Sequence, residues 1–488
     1  MNTHAIDLQS SHARPRARIE GRGVRGACAT IVALTSLASP LCLAAAGQVS
    51  AHDAKAREIL ERVISFETSE GKGQTPVMAK YLAGELRAAG IPDADIHILP
   101  LGDTASLVVR YRGDGSSGKK PIALMAHMDV VAAKREDWER DPFKLIEENG
   151  YFYGRGVYDV KQGATSITST FLRLKAERFV PTRDLVIVFT GDEESFQHTT
   201  EDLAKNHRDL VDAEYALNSD GGGGTLDENG KPLVFNFQTA EKSYADFELT
   251  VTNPGGHSSL PRADNAIYEL ADALKKVQAY EFPVMSNDTT LAYFAILGKT
   301  AAGEEGQAML RFSKNPQDQE AAKILAGTSY VGMTRTTCVA TTLRGGHAPN
   351  ALPQSATANV NCRIFPGVSV EEVRDKLQEL AGANVKIATM GNPTSSPASE
   401  LRKDVLEAVT RAVHENYPGV PVVPSQSSGA SDGIYFRAVG IPTYGVSETF
   451  IKESDEFAHG LNERLPAESF YNGLAYWHSL VTDLAGRR

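Results

Sequence analysis

Cysteine is scarce in this chain: Cys28, Cys42, Cys338 and Cys362 are all it has in 488 residues. Neither Cys338 nor Cys362 stands at metal-ligand spacing from another cysteine, which argues against a thiolate metal site. Positive charge is also in deficit. The formal net charge is -11, and the body of the chain holds no cluster of Lys and Arg, which argues against a nucleic-acid-binding surface. Long apolar runs are missing with one exception. Ala27 to Ala46 is mostly apolar, but Pro40 and several Ser and Thr weaken it as a membrane span. It follows Arg14, Arg16, Arg18, Arg22 and Arg25 and runs into small residues at 44–46 and 49–51. A basic region, an apolar stretch and a small-residue cleavage site form the layout of a secretory signal peptide. Residues 1–51 are therefore expected to be removed, with cleavage near Ala46 or Ala51, leaving an exported, periplasmic or secreted chain without a stable membrane span. The alternative is an uncleaved anchor. Cys338 and Cys362 then remain. They either form a disulfide, as an oxidising compartment permits, or stay as two buried free thiols.

What is present is an ordinary globular composition, 42% hydrophobic and 23% charged, long enough for more than one domain. From His52 onward, helical patterns at 53–69, 76–89, 161–177 and 201–212 alternate with the apolar runs Ser106–Tyr111, Ile122–Met128 and Asp184–Thr190. That alternation predicts an α/β domain with a largely buried sheet. The pattern changes after Glu241-Lys242. Phe247–Val251 alternates as a half-exposed strand. Asp264 is placed to cap a helix whose Ile267, Leu270, Ala271, Leu274 and Val277 share a face. Strand-like Thr336–Leu343 and Ala356–Ile364, a helix at 369–381 and strand-like Val385–Met390 complete an α+β module, with 301–329 as a longer excursion. Gly391 to Pro397 reads as a linker, followed by an amphipathic helix at 398–414 and more α/β pattern.

Five short motifs carry the chemistry: His127-Met-Asp129, Asp159, Glu193-Glu194, Asp220 before four glycines, and the late His459. Two imidazoles and several carboxylates are the donor set of zinc or a similar divalent ion, which predicts a two-metal hydrolase. His127 and the acidic pair fall at or past the C-terminal ends of predicted strands, where open α/β sheets place their sites. His459 has to reach His127. The segments 52–242 and 393–488 are therefore expected to form one discontinuous catalytic domain, with 243–392 inserted as a satellite.

The segments AHMDVV (126–131), GRGVYDVKQG (154–163), GDEES (191–195), NSDGGG (218–223), GGHSSLP (255–261), GGHAPNALP (345–353) and HGLNE (459–463) resemble those of the zinc-dependent metallopeptidases that include carboxypeptidase G, aminoacylase and succinyl-diaminopimelate desuccinylase. Gln162 and the late HGLNE point to the carboxypeptidase S-like branch. The resemblance implies an α/β catalytic domain with two metal ions and an inserted α+β dimerisation domain. It implies that His127 and Asp220 bind one metal, Glu194 and His459 the other, and that Asp159 bridges both. Zinc is the implied metal, and cobalt and manganese accept the same ligands. Glu193 would be the general base, and Asp129 would fix the tautomer of His127. His257 would reach a partner subunit's active site to stabilise an oxyanion. Asn350, Arg363 and Gly429 would contact the substrate, Arg363 gripping its carboxylate.

Each residue also has a plainer reading. His127 could be a structural strand-end histidine, Asp159 a helix cap, Asn350 a turn residue and Arg363 a solvated strand residue. Asp192 reads as an outward-facing acid and His347 as structural. Glu463 either orients His459 or its loop, or is a plain surface glutamate. The functions implied are exopeptidase cleavage of short peptides, of dipeptidase or carboxypeptidase type, or hydrolysis of N-acyl amino acids. A remote third is an inactive peptide-binding protein on the same fold.

Overall fold

The computed structural model describes residues 50–487. Nearly all of the signal segment lies outside them; within them, the Ser50 hydroxyl accepts from the Asp53 amide at 3.1 Å and caps the helix Ala51–Ile64. Among the described residues, no helix is long and apolar enough to cross a membrane.

A ten-stranded mixed sheet forms the larger layer. Its order is Ile96–Leu101, Thr104–Tyr111, Leu185–Thr190, Ile122–His127, Tyr215–Asn218, Thr443–Gly445, Pro232–Glu241, Gly223–Leu226 and Phe450–Lys452, with Val422–Ser427 paired in parallel to Pro232–Glu241. Strands from before and after the insertion therefore lie in one sheet, and the catalytic domain is discontinuous. The two central strands, Leu185–Thr190 and Ile122–His127, are buried along their whole length, because helices cover both faces. Ile122, Leu124 and Ala126 pack with Ile59, Leu82, Phe171 and Trp477, while Ala123 and Met125 pack with Leu203, Val211 and Phe436 on the other side.

The satellite is a four-stranded antiparallel sheet in the order Thr337–Gly345, Ser355–Ile364, Ser243–Thr252 and Lys386–Met390. One face packs on the helices Ala266–Ala279 and Val370–Ala381 through Phe247, Leu249, Leu270, Val360 and Leu377. The main-sheet strand ends at Glu241 and the satellite strand begins at Ser243. Cys338 and Cys362 stand directly opposite on adjacent strands and form a disulfide. The excursion is more than a loop. Helices Asp288–Leu297, Gly303–Lys314, Gln319–Ala326 and Val331–Thr334 build their own core around Phe294, Met309, Phe312 and Leu325. That bundle leans on the catalytic domain through Asn287 Nδ2, which donates to Gln426 Oε1 at 2.9 Å.

Several helix boundaries differ from the pattern, each because a side chain or amide is engaged elsewhere. The first helix stops at Ile64, and Thr68 Oγ1 donates to the Met128 carbonyl instead. The helix expected at 398–414 runs from Lys403 to Asn416. The Ser399 amide bonds to Thr239 O, and the Glu400 carbonyl accepts from Tyr444 Oη. Asn265, not Asp264, caps the satellite helix: its Oδ1 accepts from the amides of Ile267 and Tyr268. Asp264 is held by Arg262 and Asn253. Ile267 and Ala271 lie outside the buried stripe, which runs through Leu270, Ala273 and Val277. Asn265→Ala should cost about 1 kcal/mol, the usual value of a lost N-cap, and Asp264→Ala clearly less; urea unfolding midpoints of the two variants measure the difference.

Candidate metal centre

The site sits at the C-terminal ends of three adjacent strands. Ile122–His127 delivers His127, the turn after Leu185–Thr190 delivers Glu193 and Glu194, and Tyr215–Asn218 leads to Asp220. The glycines after Asp220 have a steric role. Gly221, Gly222 and Gly223 have φ of 138°, 72° and 97°. A Cβ at Gly222 would lie 2.5 Å from the carbonyl oxygens of Asn236 and Gly445, so only glycine passes between these strands.

Two donor groups share one residue. His127, Asp159 and Asp220 form the first and Asp159, Glu194 and His459 the second, each with donor atoms within 4.8 Å of one another. Asp159 Oδ1 lies 3.2 Å from His127 Nε2, and its Oδ2 lies 3.1 Å from His459 Nε2. Each oxygen of one carboxylate thus faces one imidazole. Donors about 2.0–2.1 Å from a tetrahedral zinc ion are about 3.3 Å apart, so these separations are those of ligand pairs around a shared ion. His127 Nδ1 stands 3.1 Å from the Asp129 carbonyl oxygen. Donation there puts a proton on Nδ1, so with an ion in place the Nε2 lone pair would face it.

The charges fit a cation. Burial pushes the Asp220 carboxyl well above the usual carboxylate range; Asp159 and Asp432 add to the rise and His127 opposes it. Burial, reinforced by Asp220, likewise raises Glu193. Burial would raise Asp159 too, but hydrogen bonds from both imidazoles outweigh it and hold that carboxyl low. Hydrogen bonds to Asp159 and Glu194 push His459 up to about 10. The cluster carries more negative charge than its two imidazoles balance, and a divalent ion in each donor group would relieve it.

The surrounding residues fix these groups in place. The Asp129 carboxylate accepts from the amides of Glu193 (3.0 Å) and Glu194 (2.9 Å) and lies 3.6 Å from His127 Nδ1. Its shortest bonds hold the acidic turn, and its carbonyl holds the ring. The acidic pair lies in a turn, not an extended strand, and Gln197 Nε2 donates to Glu193 Oε1 at 2.8 Å. Asp192 is buried, contrary to its outward-facing reading. It caps the helix His198–Asn206 by accepting from the amides of His198 and Thr199. Glu463 is wholly buried, which excludes the surface reading. It pairs with Arg155 at 2.7 Å and accepts from the amides of Gly156, Tyr158 and Asp159. It therefore fixes the Asp159 turn, while Arg155 Nη2 donates to the carbonyls of His459 and Gly460.

The satellite residues divide into two groups. Arg363 Nη1 donates to Ser428 O at 3.1 Å and stacks over Tyr244, which places it against the loop that carries Gly429. The Gly429 amide is taken by Ser427 Oγ at 2.9 Å. His257 and Asn350 come together on a two-stranded ribbon, with Ser258 N donating to Asn350 O. Both are exposed, and the His257 ring bonds only to Ser259 among the described residues. His347, read as structural, is exposed. Sequence reasoning missed Arg155, Asp432 and Lys242. Asp432 is buried and accepts from the hydroxyls of Thr190 and Thr200, tying the end of a central strand to the helix beyond the acidic turn. Lys242 is 1% exposed, and its Nζ meets Arg335 O (3.0 Å) and Thr337 Oγ1 (3.2 Å) but no carboxylate. Burial and the nearby Arg363 hold it down at about 8. Glu241-Lys242 was legible only as a domain boundary; a lysine there gave no sign that it would be buried.

The profile of peptidase family M20/M25/M40 matches residues 123–483. The chain belongs to that family. An N-fatty-acyl-amino acid synthase/hydrolase of Xenopus tropicalis is 29% identical over 373 residues, covering 74% of this chain and 72% of the relative. A probable carboxypeptidase S-like protein of Dictyostelium discoideum is 25% identical over 397 residues, covering 77% and 74%. The crystal structure of an M20 family metallo-carboxypeptidase from Sulfolobus solfataricus superposes with a TM-score of 0.64 at 20% identity, covering 88% of this chain and 98% of that one. The resemblance read from the motifs is thus confirmed at the level of the family, and the chain is a peptidase or amidohydrolase of the M20 type.

If the two donor groups hold one ion each, the family protein should retain two zinc equivalents after dialysis. His459→Ala should retain about one, and Asp159→Ala fewer than one. Elemental analysis of the three proteins gives the counts, and two equivalents on Asp159→Ala would refute a bridging carboxylate.

Proposed function

We propose that this chain hydrolyses one amide bond next to a free carboxylate in short peptides, as an exopeptidase, with two divalent ions, zinc foremost. The observation that carries the reading is the Asp159 carboxylate, with one oxygen toward each imidazole. Bound in the two donor groups, such ions would polarise the scissile carbonyl and acidify the attacking water. The protein's own residues supply the rest. Glu193 is half-buried beside the donors, and its raised affinity for a proton suits a base that takes one from water and passes it to the leaving amine. Arg363 and Lys242 form a cationic corner beside Ser428 and Gly429, which suits a substrate carboxylate. The second reading keeps this machinery and takes N-acyl amino acids. The Xenopus relative, named a hydrolase of N-fatty-acyl-amino acids, favours it.

Two further elements belong to the proposal. The chain is exported: the signal-like start of the sequence supports this, as does the Cys338–Cys362 disulfide. It also acts as a homodimer. The edge strand Thr337–Gly345 is mostly exposed and presents Val339 and Leu343, at 60% and 65% exposure, in a form that a second copy could pair with. The exposed His257 would then complete the centre of the other copy. Val339→Lys should yield a monomer by light scattering with a depressed rate; a fully active monomer rules out His257 completing the centre of the other copy, and a wild-type chain that is itself monomeric rules out the dimer.

Glu193→Gln should keep both ions and lose at least about 100-fold in rate. The assay is release of free amino acid from matched substrates: a dipeptide, its N-acetyl form and its C-terminal amide. Loss of cleavage on amidation supports the carboxylate corner, and near-normal turnover by Glu193→Gln would sink the general-base assignment.

A further inference from the structure

The Cys338–Cys362 disulfide lies at the foot of the edge strand Thr337–Gly345, one residue pair away from Thr337 and Arg363. Arg363 reaches the catalytic domain by donating to Ser428 O at 3.1 Å. Thr337, directly opposite it, offers its hydroxyl to the Lys242 ammonium at 3.2 Å, and the Arg335 carbonyl takes the same ammonium at 3.0 Å. Lys242 stands between the strands Pro232–Glu241 and Ser243–Thr252, at the junction of the two sheets, and its amide donates to Ser427 O at 3.0 Å. These contacts close a ring. It runs from the junction lysine to the edge strand, across the disulfide to the strand of Arg363, and back through the 427–428 loop.

The edge strand is the weak side of that ring. Seven of its nine residues are exposed, and its pairing shifts register between Ala340 and Thr342. Just before it, Arg335 pairs with Glu281, whose side chain is 81% exposed, a contact worth little. An edge stretch held this way opens locally at low cost. The disulfide opposes such opening beside Arg363, because Cys362 is wholly buried in the satellite core with Val360 and Ile364. If the stretch 335–337 moved off, the buried Lys242 ammonium would lose both acceptors while staying near the like charge of Arg363. The movement would also reach the loop that Arg363 holds. A Cβ at Gly332, three residues before Arg335, would lie 2.7 Å from Ser428 Oγ, so the segment leading into the strand is seated on that loop.

We infer that the Cys338–Cys362 disulfide is a positioning element of the substrate site: it fixes Thr337 and the Arg335 carbonyl, and through Lys242 the Arg363 guanidinium, in the geometry that grips a substrate carboxylate. The inference rests on the carboxylate corner of the amide-hydrolase reading above. The metal donors rise from other strands, Ile122–His127, Leu185–Thr190 and Tyr215–Asn218, so the disulfide governs binding of the carboxylate and not the chemistry at the ions.

The zinc-loaded protein is assayed oxidised, and again after reduction by a phosphine that is removed before the assay. The phosphine takes one oxygen from water and leaves two thiols, so thiol titration should count two more in the reduced protein. The substrate is the better cleaved of a dipeptide and its N-acetyl form. On reduction its KM should rise at least about fivefold, as partial loss of a charge-assisted hydrogen bond allows, with kcat within about twofold, the signature of lost binding. The inhibition constant of acetohydroxamate, which carries no carboxylate, should not move. Reoxidation should restore KM, and the Cys338→Ala, Cys362→Ala double variant should behave as the reduced protein; where that variant does not fold, the reduced protein decides. Thr337→Val, with the disulfide intact, should raise KM in the same sense. An unchanged KM in the reduced protein, or a hydroxamate constant that weakens along with it, overturns the positioning role and leaves the amide-hydrolase reading standing. Equal KM for the substrate and its C-terminal amide in the oxidised protein overturns the corner itself, and this inference with it.

Discussion

One carboxylate organises this molecule. Asp159 faces an imidazole with each of its oxygens, so its position sets the distance between the two donor groups. Its turn is not rigid by itself, being flanked by Gly154 and Gly156 in positive-φ conformations. Rigidity comes from Glu463, which accepts from the amides of Gly156, Tyr158 and Asp159 while paired to Arg155. Removing one partner of such a buried ion pair typically costs about 3–5 kcal/mol, a large share of a domain's net stability. The same arginine holds the backbone of His459, so one ion pair positions the Asp159 carboxylate and a histidine it faces.

The second organising feature is the engagement of acids by backbone. Asp129, Asp192 and Glu463 each accept amide hydrogen bonds and shape the turns that carry the donors. Glu193, Glu194, Asp159 and Asp220 are left to face the centre. A deeply acidic site can be built this way because only part of its carboxylate charge is free to repel the rest. Asp432 extends the scheme outward, held by two threonine hydroxyls between a central strand and a helix.

The donor set was legible because each donor sits in a short motif whose neighbours are dictated by chain geometry: strand end, glycine turn, acidic turn. Strand positions were legible for a similar reason, since burial on both faces demands uninterrupted apolar residues. What the pattern did not show depends on contacts distant in sequence. Glu463 looks like a surface acid until Arg155, some three hundred residues earlier, is seen beside it. Asp192 looks solvated until the following helix folds back to use it. Lys242 looks like a boundary residue until the excursion helices bury it against the Arg335 carbonyl. The core of the excursion was not legible because its apolar residues are spread over four short helices, none with a long stripe.

The Glu463–Arg155 clasp makes the centre a test of completeness. Its parts come from chain positions as far apart as His127 and Glu463, with the whole satellite between them. A chain interrupted before Glu463 has acids but lacks the bonds that hold the Asp159 turn, so the two donor groups lose their common geometry. The donor geometry therefore reports that the segments before and after the satellite have met, and the ions within reach of that meeting would be the ones bound.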